Sequence, residues 1–534
     1  MHALSNRLAQ LRSAGRLAHV DGRSLGLIAL KKTAENPDRV LVVDGARSVT
    51  RGEMLDLACR LGGALASRGV GHGAAIGFQL PNWWEACVIN LAATLFGYRL
   101  IPLLTIYREA ELGHILPTCE IEALFIPESF RGVDFAQLIG RLSYQPKHLF
   151  TVRSSRIGET NSFEEMVKSA PAEAKPADAD DIKMVLFTSG STGTPKGVMH
   201  CHGTVDALIR RTADYWRIGP DDRLYIPSPI GHIGGSIYAF EFPWITDCTA
   251  LLAESWNPDE AVRAIDEMGG TFMAGATPFL SGLIASAEKA GTRLASLRRY
   301  ICGGASVPPE LVLRGLECFE NAIVSRAYGS TEVPLVCPGV RNREEAAVRA
   351  VTDGEIACEL KLLGDSGEPV AEGDSGEIAV RGPQMMLGYL NPEHEQGSYT
   401  EDGFFLMGDL GRRIDGRYLE ITGRKKDIII RKGENISPLE IENALARHPS
   451  VRQVSVVGIP DRERGEMVVA FVLPVEGRSF GFEDMTGHLA SLGLARQKFP
   501  ERLHVVAELP VNSIGKIQKS ELKALAVGLA GGGK

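Results

Sequence analysis

The sequence contains no uninterrupted apolar run approaching the 18 residues that a membrane-spanning helix requires. Its first twenty residues, MHALSNRLAQLRSAGRLAHV, lack both the apolar core and the small-residue cleavage pattern of a secretory leader. A cytoplasmic protein with no membrane span is the resulting expectation. Positive charge is not in excess either: 58 Lys and Arg face 66 Asp and Glu, a net charge of −8. That excludes a general nucleic-acid or membrane-surface binder, while leaving room for a local basic site that takes an anionic ligand. No two of the nine cysteines stand at C-x-x-C spacing. Cys59, Cys87, Cys119 and Cys248 sit among apolar residues, so they read as buried free thiols of a reducing compartment. Internal repeats and coiled-coil heptads are absent.

What is present is a chain of 534 residues, 44% hydrophobic and 23% charged. One hydrophobic core does not serve that length, so a large multi-lobed unit and a smaller one are expected. Between residues 50 and 140 helical and strand patterns alternate. RGEMLDLACRLGGALASRG and WWEACVINLAATLFGY carry helical signals, and AAIGFQL and RLIPLL read as strands. This βαβ rhythm predicts α/β architecture with mostly parallel sheets. The Ala/Pro/Asp-rich stretch 169–181 reads as a surface linker, and IKMVLFT after it as a buried strand. From about residue 353, short strands joined by Gly/Asp turns predict an antiparallel region. The segment after Arg424, about 110 residues, is long enough for a small α+β domain. The tail GLAGGGK reads as disordered.

One loop stands out chemically: LFTSGSTGTPKGVMH, Leu186 to His200. Gly190 and Gly193 let backbone N–H groups approach an anion. Ser189, Ser191, Thr192 and Thr194 add hydroxyl donors and Lys196 a charge. A Walker loop ends in G-K-[ST] with its lysine opening a helix. Here Lys196 lies between Pro195 and Gly197, in what reads as a turn, so the Walker reading fails. The run GVGHGAAIG (69–77) precedes its strand instead of following it, and is assigned to a turn.

The order T-S-G-S-T-G-x-P-K-G resembles the signature of the adenylate-forming superfamily, which includes acyl-CoA synthetases, aryl-acid ligases, luciferases and peptide-synthetase adenylation domains. Other stretches match that family in order. AYGSTE (327–332) resembles its Y-G-x-T-E, which implies that Tyr328 stacks on adenine, Thr331 touches the α-phosphate and Glu332 helps hold Mg²⁺, with Gly329 in the turn between them. In GDLGRR, Asp409 matches the aspartate that grips both ribose hydroxyls, and Arg424 the arginine at the end of the large domain. Lys426 falls at the family's hinge position. Lys432, Gly433 and Asn435 match a turn that lines the pantetheine tunnel for CoA. LPVNSIGKIQKSEL (509–522) resembles the terminal catalytic motif, with Lys516 as the catalytic lysine; Ile514 departs from the Ser or Thr common there.

The resemblance covers nearly the whole chain. It implies a large N-terminal domain (1–423) of βαβ subdomains plus a β-rich region, followed by a small, mobile α+β lid (424–534). ATP, Mg²⁺ and CoA are the implied cofactors, and a small-molecule carboxylic acid the partner. Oligomeric state stays open, a homodimer included. Thr188, Ser189, Gly190, Ser191, Thr192, Gly193 and Lys196 are expected at the phosphates, with Thr192 also near Mg²⁺. Gly303, Gly304 and Ala305 are expected along the nucleotide.

PSPIGHIGGSIYAF (227–240) stands where the family has its acid-pocket helix, so His232 is a candidate catalytic residue beside the carboxylate. Ile233 replaces the Asn with which hydroxybenzoate ligases recognise an ortho hydroxyl, and no Asp is present to pair an amino group. Ile230, Ile233, Gly234, Gly235 and Ile237, with Gly304 and Gly329, are expected to shape an apolar and fairly roomy pocket. FMAGATPFL, ICGGASVPPEL and ARQKFPERLHVV most resemble short/medium-chain and cyclohexanecarboxylate-type acyl-CoA ligases. A stand-alone aryl-acid ligase that loads a carrier protein is the alternative.

Overall fold

The computed structural model describes residues 3–17, 20, 22–154, 161–188, 195–304, 307–432, 434–511 and 517–531. Two seven-stranded sheets share one core. The first runs in the order Ile323–Arg326, Arg299–Cys302, Phe272–Gly275, Arg223–Ile226, Thr249–Leu252, Val40–Asp44 and Arg47–Thr50. All neighbours in it are parallel except the last pair. The second runs Gly388–Tyr389, Lys196–Cys201, Ile182–Thr188, Arg99–Pro102, Ala75–Phe78, Ala123–Pro127 and His148–Val152. Its first two pairings are antiparallel and the rest parallel.

The shared core explains the strong apolar patterns. Helix Trp84–Phe96 is buried from Glu85 to Phe96 on every side, as a helix apolar all round must be. It stops at Gly97, whose φ of 67° lets its N–H reach back to Ala93 O. Ile76, Phe78, Leu100, Met184 and Leu186 of the second sheet meet Leu224, Ile226, Ala250, Phe272 and Ile301 of the first in this cluster. The outer face of the first sheet is covered by helices Pro258–Met268, Thr277–Ala290 and Pro309–Cys318, which bury Val262, Leu283 and Val312.

The stretch 169–181 forms no helix or strand, yet it is more than a linker. Ala172 N donates to Cys59 O and Lys175 N to Leu95 O, so it straps two core helices, Arg51–Ser67 and Trp84–Phe96. The run 69–77 is a turn only as far as Ala74, with positive φ at Gly69 and Gly73; its last three residues already belong to the strand Ala75–Phe78.

An antiparallel sheet follows: Glu359–Leu363, Gly376–Arg381, Phe405–Ile414 and Tyr418–Arg424. The last sheet joins Glu434–Ile436, Ile429–Arg431, Gly465–Pro474 and Val451–Asp461, with Arg502–Val505 parallel to Gly465–Pro474. The expectation for the tail is corrected. Helix Lys519–Gly531 runs through Gly528 and Leu529, because Leu522 and Ala526, four residues apart, bury one face against Val457 and Phe471. Residues 532–534 lie outside the described residues. Among the described residues no helix is long and apolar enough to cross a membrane.

Candidate functional site

Parallel sheets present their ligand sites at the carboxyl ends of strands, where backbone groups and loops converge. Strand Phe272–Gly275 ends where Gly275 O accepts from Gly303 N at 3.2 Å, and Cys302 O accepts from Ala327 N at 2.9 Å. A Cβ on Gly303 would lie 2.8 Å from Ala327 O, so only glycine permits this approach. Gly304 follows with φ +83° and faces open space. Ala305 lies outside the described residues.

Tyr328, Gly329, Thr331 and Glu332 leave the end of strand Ile323–Arg326. Tyr328 exchanges two backbone hydrogen bonds with Cys337, both 2.9 Å. A Cβ on Gly329 would meet Leu335 N at 2.4 Å, so its glycine serves the turn. The Tyr328 hydroxyl donates to Asp409 Oδ2 at 2.7 Å, and Arg424 Nε pairs with Asp409 Oδ1 at 2.9 Å. Asp409 and Arg424 are opposite each other in the ladder between strands Phe405–Ile414 and Tyr418–Arg424, which fixes that pair. Burial and the Asp409 carboxylate push the Tyr328 phenol well above its ordinary value, so it stays a donor. Each carboxylate oxygen carries a second lone pair, so the clasp does not exhaust Asp409 as an acceptor.

Thr331 is buried, and its carbonyl accepts from His200 Nε2 at 2.7 Å. Glu332 Oε1 accepts from the hydroxyl of Tyr389 at 2.7 Å. Lys196 Nζ stands 5.1 Å from the centre of the Tyr389 ring, a cation–π distance. Lys196 is not in a turn. It opens strand Lys196–Cys201, opposite Thr188 in an antiparallel ladder. Both ends of the Ser/Gly loop are therefore pinned to each other, an arrangement of strand, loop and strand that no Walker loop shares. Ser189, Gly190, Ser191, Thr192 and Gly193 lie outside the described residues. No group of three or more His, Cys, Asp or Glu that could hold a metal occurs among the described residues. A lone carboxylate such as Glu332 suits Mg²⁺, which takes most of its oxygens from phosphates and water.

His232 caps helix Ile233–Phe240: its Nδ1 accepts from Gly234 N at 3.1 Å. With Nδ1 as acceptor, the neutral ring carries its proton on Nε2. Ile230, Ile233 and Ile237 are buried in the shared core. The roomy pocket is corrected at Gly235, where a Cβ would meet Pro229 O at 2.3 Å and Ser228 O at 2.5 Å. That glycine buys close packing of helix on loop, not space for a substrate. Asn82, from the second sheet's side, holds the same loop by three bonds. Its Nδ2 donates to Ile226 O (3.0 Å) and Ser228 O (2.9 Å), and its Oδ1 accepts from Ile230 N (3.0 Å).

Further along, Lys426 is exposed within the short turn Lys425–Asp427. Lys432 and Asn435 are exposed at the hairpin of strands Ile429–Arg431 and Glu434–Ile436, with Lys432 at φ 51°. Gly433 and Lys516 lie outside the described residues. Val511 and Ile517 form an antiparallel bridge, and Gln518 N donates to Pro510 O at 2.8 Å, so the chain on either side of 512–516 is held together.

Sequence reasoning missed Tyr389, His200 and Asn82. His200 closes the Leu186–His200 stretch and Tyr389 sits in MMLGYLNPE, where an isolated Gly-Tyr pair in an apolar run was the available signal. Nothing in the sequence marks Asn82.

A tyrosine–aspartate–arginine clasp, a Y-G-x-T-E turn with its threonine buried and a pinned Ser/Gly loop at strand ends define an adenylate-forming enzyme. The chain belongs to the AMP-binding enzyme family, whose profile matches residues 30–390, with the AMP-binding enzyme C-terminal domain matched at 440–516. It is an acid–thiol ligase of that family. It is 33% identical over 500 residues to the medium-chain fatty-acid–CoA ligase of Escherichia coli K12, covering 91% of this chain and 88% of that protein. It is 29% identical over 498 residues to the indoleacetate–CoA ligase of Aromatoleum aromaticum, covering 92% and 95%. Its fold superposes on ATP-bound MatB from Rhodopseudomonas palustris with a TM-score of 0.83 at 26% identity, covering 94% and 98%.

Proposed function

We propose that the chain is an AMP-forming acyl-CoA synthetase for a bulky or ring-bearing apolar acid, alicyclic or of short to medium chain length. The observation that carries this reading is that the single turn from Tyr328 to Glu332 joins the Tyr328–Asp409–Arg424 clasp at one end to the Glu332–Tyr389–Lys196 cluster at the other. The relatives named for a medium-chain fatty acid and for an indole-bearing acid support the acid class. So do Ile233 beside His232 and the absence of an acidic residue in 227–240.

In the first half-reaction a carboxylate oxygen of the acid attacks the α-phosphorus of ATP, and pyrophosphate leaves. Tyr328, Asp409 and Arg424 hold adenosine; Thr331, Lys196 and the loop from Thr188 hold the phosphates; Lys516 offers its ammonium to the carboxylate and the developing phosphate charge. Mg²⁺ would be held by Glu332, with Thr192, and would neutralise triphosphate charge. In the second half-reaction the CoA sulfur attacks the acyl carbonyl and AMP leaves with the bonding electrons. We place the domain boundary at 423/424, with Lys426 as hinge. A rotation about Lys426 leaves Arg424 and Lys425 paired to Asp409 and Glu377 and carries the Lys432–Asn435 hairpin toward the acyl group. It must release Arg447–Glu310 (3.3 Å) and the Ser437 hydroxyl from Thr422 O (2.5 Å), two partly exposed contacts of modest worth.

A CoA-ligase screen over fatty, alicyclic, aromatic and steroid side-chain acids, read by AMP release, tests the assignment. Pyrophosphate exchange without thioester formation would instead favour a ligase that loads a carrier protein. Lys516→Ala is expected to lower adenylation about 10²–10³-fold and to spare thioester formation from supplied acyl-adenylate. Equal loss in both half-reactions would remove Lys516 from this role.

A further inference from the structure

One side chain at the site belongs to none of the matched motifs. Tyr389 is buried on the two-residue strand Gly388–Tyr389, at the edge of the second sheet. That strand pairs with Val198 and Met199 of the strand that returns from the Ser/Gly loop. The tyrosine is held from behind by one residue distant in sequence and one six positions on. Arg7 Nε, on the N-terminal helix Ala3–Ser13, donates to Tyr389 O at 3.0 Å. Glu395 Oε1 accepts from Tyr389 N at 2.9 Å and also pairs with Arg7. A Cβ on the preceding Gly388 would lie 2.2 Å from Glu395 Oε1, so glycine is required for this carboxylate to close in. Arg16 stands 3.7 Å from Glu395 Oε2.

In front, two charged groups of the proposed phosphate site use the same ring. The hydroxyl donates to Glu332 Oε1 and the ring face receives Lys196. We propose that Tyr389 is a positioning residue for adenylation: its hydroxyl aims the Glu332 carboxylate, its ring places the Lys196 ammonium, and Arg7 with Glu395 fixes its backbone. Glu332 is also anchored by its carbonyl, which accepts from Met386 N at 2.8 Å, so the hydroxyl chiefly sets the direction of the carboxylate. Burial and the adjacent carboxylate push the Tyr389 phenol far above its ordinary value, so it donates throughout the working pH range. The hydrogen bond is charge-assisted and partly buried, which strengthens it over a neutral, solvated one.

The inference rests on the reading of Glu332 as the phosphate-facing carboxylate, so Glu332→Gln is measured alongside. Tyr389→Phe removes only the hydroxyl and keeps the ring under Lys196. Its expected effect is about a 10- to 30-fold slower acid-dependent pyrophosphate exchange, carried by kcat, with the KM for the acid unchanged. Thioester formation from supplied acyl-adenylate should stay within about two-fold of wild type. A second readout needs no turnover: titrating ATP by calorimetry, the gain in affinity on adding Mg²⁺ should shrink about ten-fold in Tyr389→Phe. Arg7→Met reaches the tyrosine only through its backbone, and is expected to slow the same half-reaction about three-fold. If Glu332→Gln slows pyrophosphate exchange and Tyr389→Phe does not, Tyr389 has no positioning role. If Glu332→Gln leaves exchange intact, the reading of Glu332 is what fails. Equal loss of both half-reactions in Tyr389→Phe would mark a merely structural tyrosine and overturn the proposal.

Discussion

Two lysines mark opposite ends of one strand ladder, and their surroundings differ sharply. Lys183 lies near the start of strand Ile182–Thr188 and has no exposure. It donates to Asn90 Oδ1 and faces Glu241 Oε1 at 3.5 Å, while Asn90 Nδ2 donates to the same Glu241 oxygen at 3.1 Å. Burial lowers the Lys183 ammonium and raises the Glu241 carboxyl from their ordinary values. His202 lies close by, fully buried, with neither ring nitrogen hydrogen-bonded among the described residues. Lys196, across from Thr188 at the other end, is half-buried over an aromatic face. The comparison separates a charge spent on the fold from one left half-buried, which we propose serves the phosphates. Both are lysines in apolar strands, and only their partners tell them apart.

The largest break in that comparison is at the buried end. Lys183→Met leaves Glu241 buried and unpaired, and is expected to cost about 3–5 kcal/mol in urea unfolding. The double variant Lys183→Met, Glu241→Leu should recover most of it, because an apolar pair of similar volume replaces a buried ion pair at little cost. A loss below about 1 kcal/mol in the single variant would erase the distinction. Next comes the open end. Lys196→Ala should leave stability within about 0.5 kcal/mol yet slow pyrophosphate exchange about 30-fold, which half-reaction assays beside a melt would read.

The smallest effect is on pH. Burial and Lys183 lower the His202 imidazole to about 3 from an ordinary 6.5. Between these values the unfolded chain binds the extra proton, so stability is full above 6.5 and declines as pH falls toward 3. His202 should therefore make the protein about 2 kcal/mol less stable at pH 5 than at pH 7. His202→Leu should flatten that acid limb in urea midpoints; an unchanged slope would remove His202 from the account.

Much of the fold was legible because its elements announce themselves locally. The apolar run of Trp84–Phe96 and the buried IKMVLFT strand need no distant partner to be recognised. Motif order carried Tyr328, Asp409 and Arg424 to one place, where the structure joins them within hydrogen-bond reach. The failures all depend on what a residue meets across the chain. Lys196 reads as a turn residue until Thr188 pairs with it. Gly235 reads as room until two carbonyls are found against it, and the C-terminal tail reads as loose until Val457 and Phe471 cover its helix. The local Gly-Tyr signal at Tyr389 says nothing of its partners, since Glu332 and Arg7 are 57 and 382 residues away.

The three hydrogen bonds of Asn82 touch only main-chain atoms of the loop before His232. Anchorage is thereby written in the backbone alone: side chains from Ile230 to Ile237 can change without removing any bond that Asn82 makes.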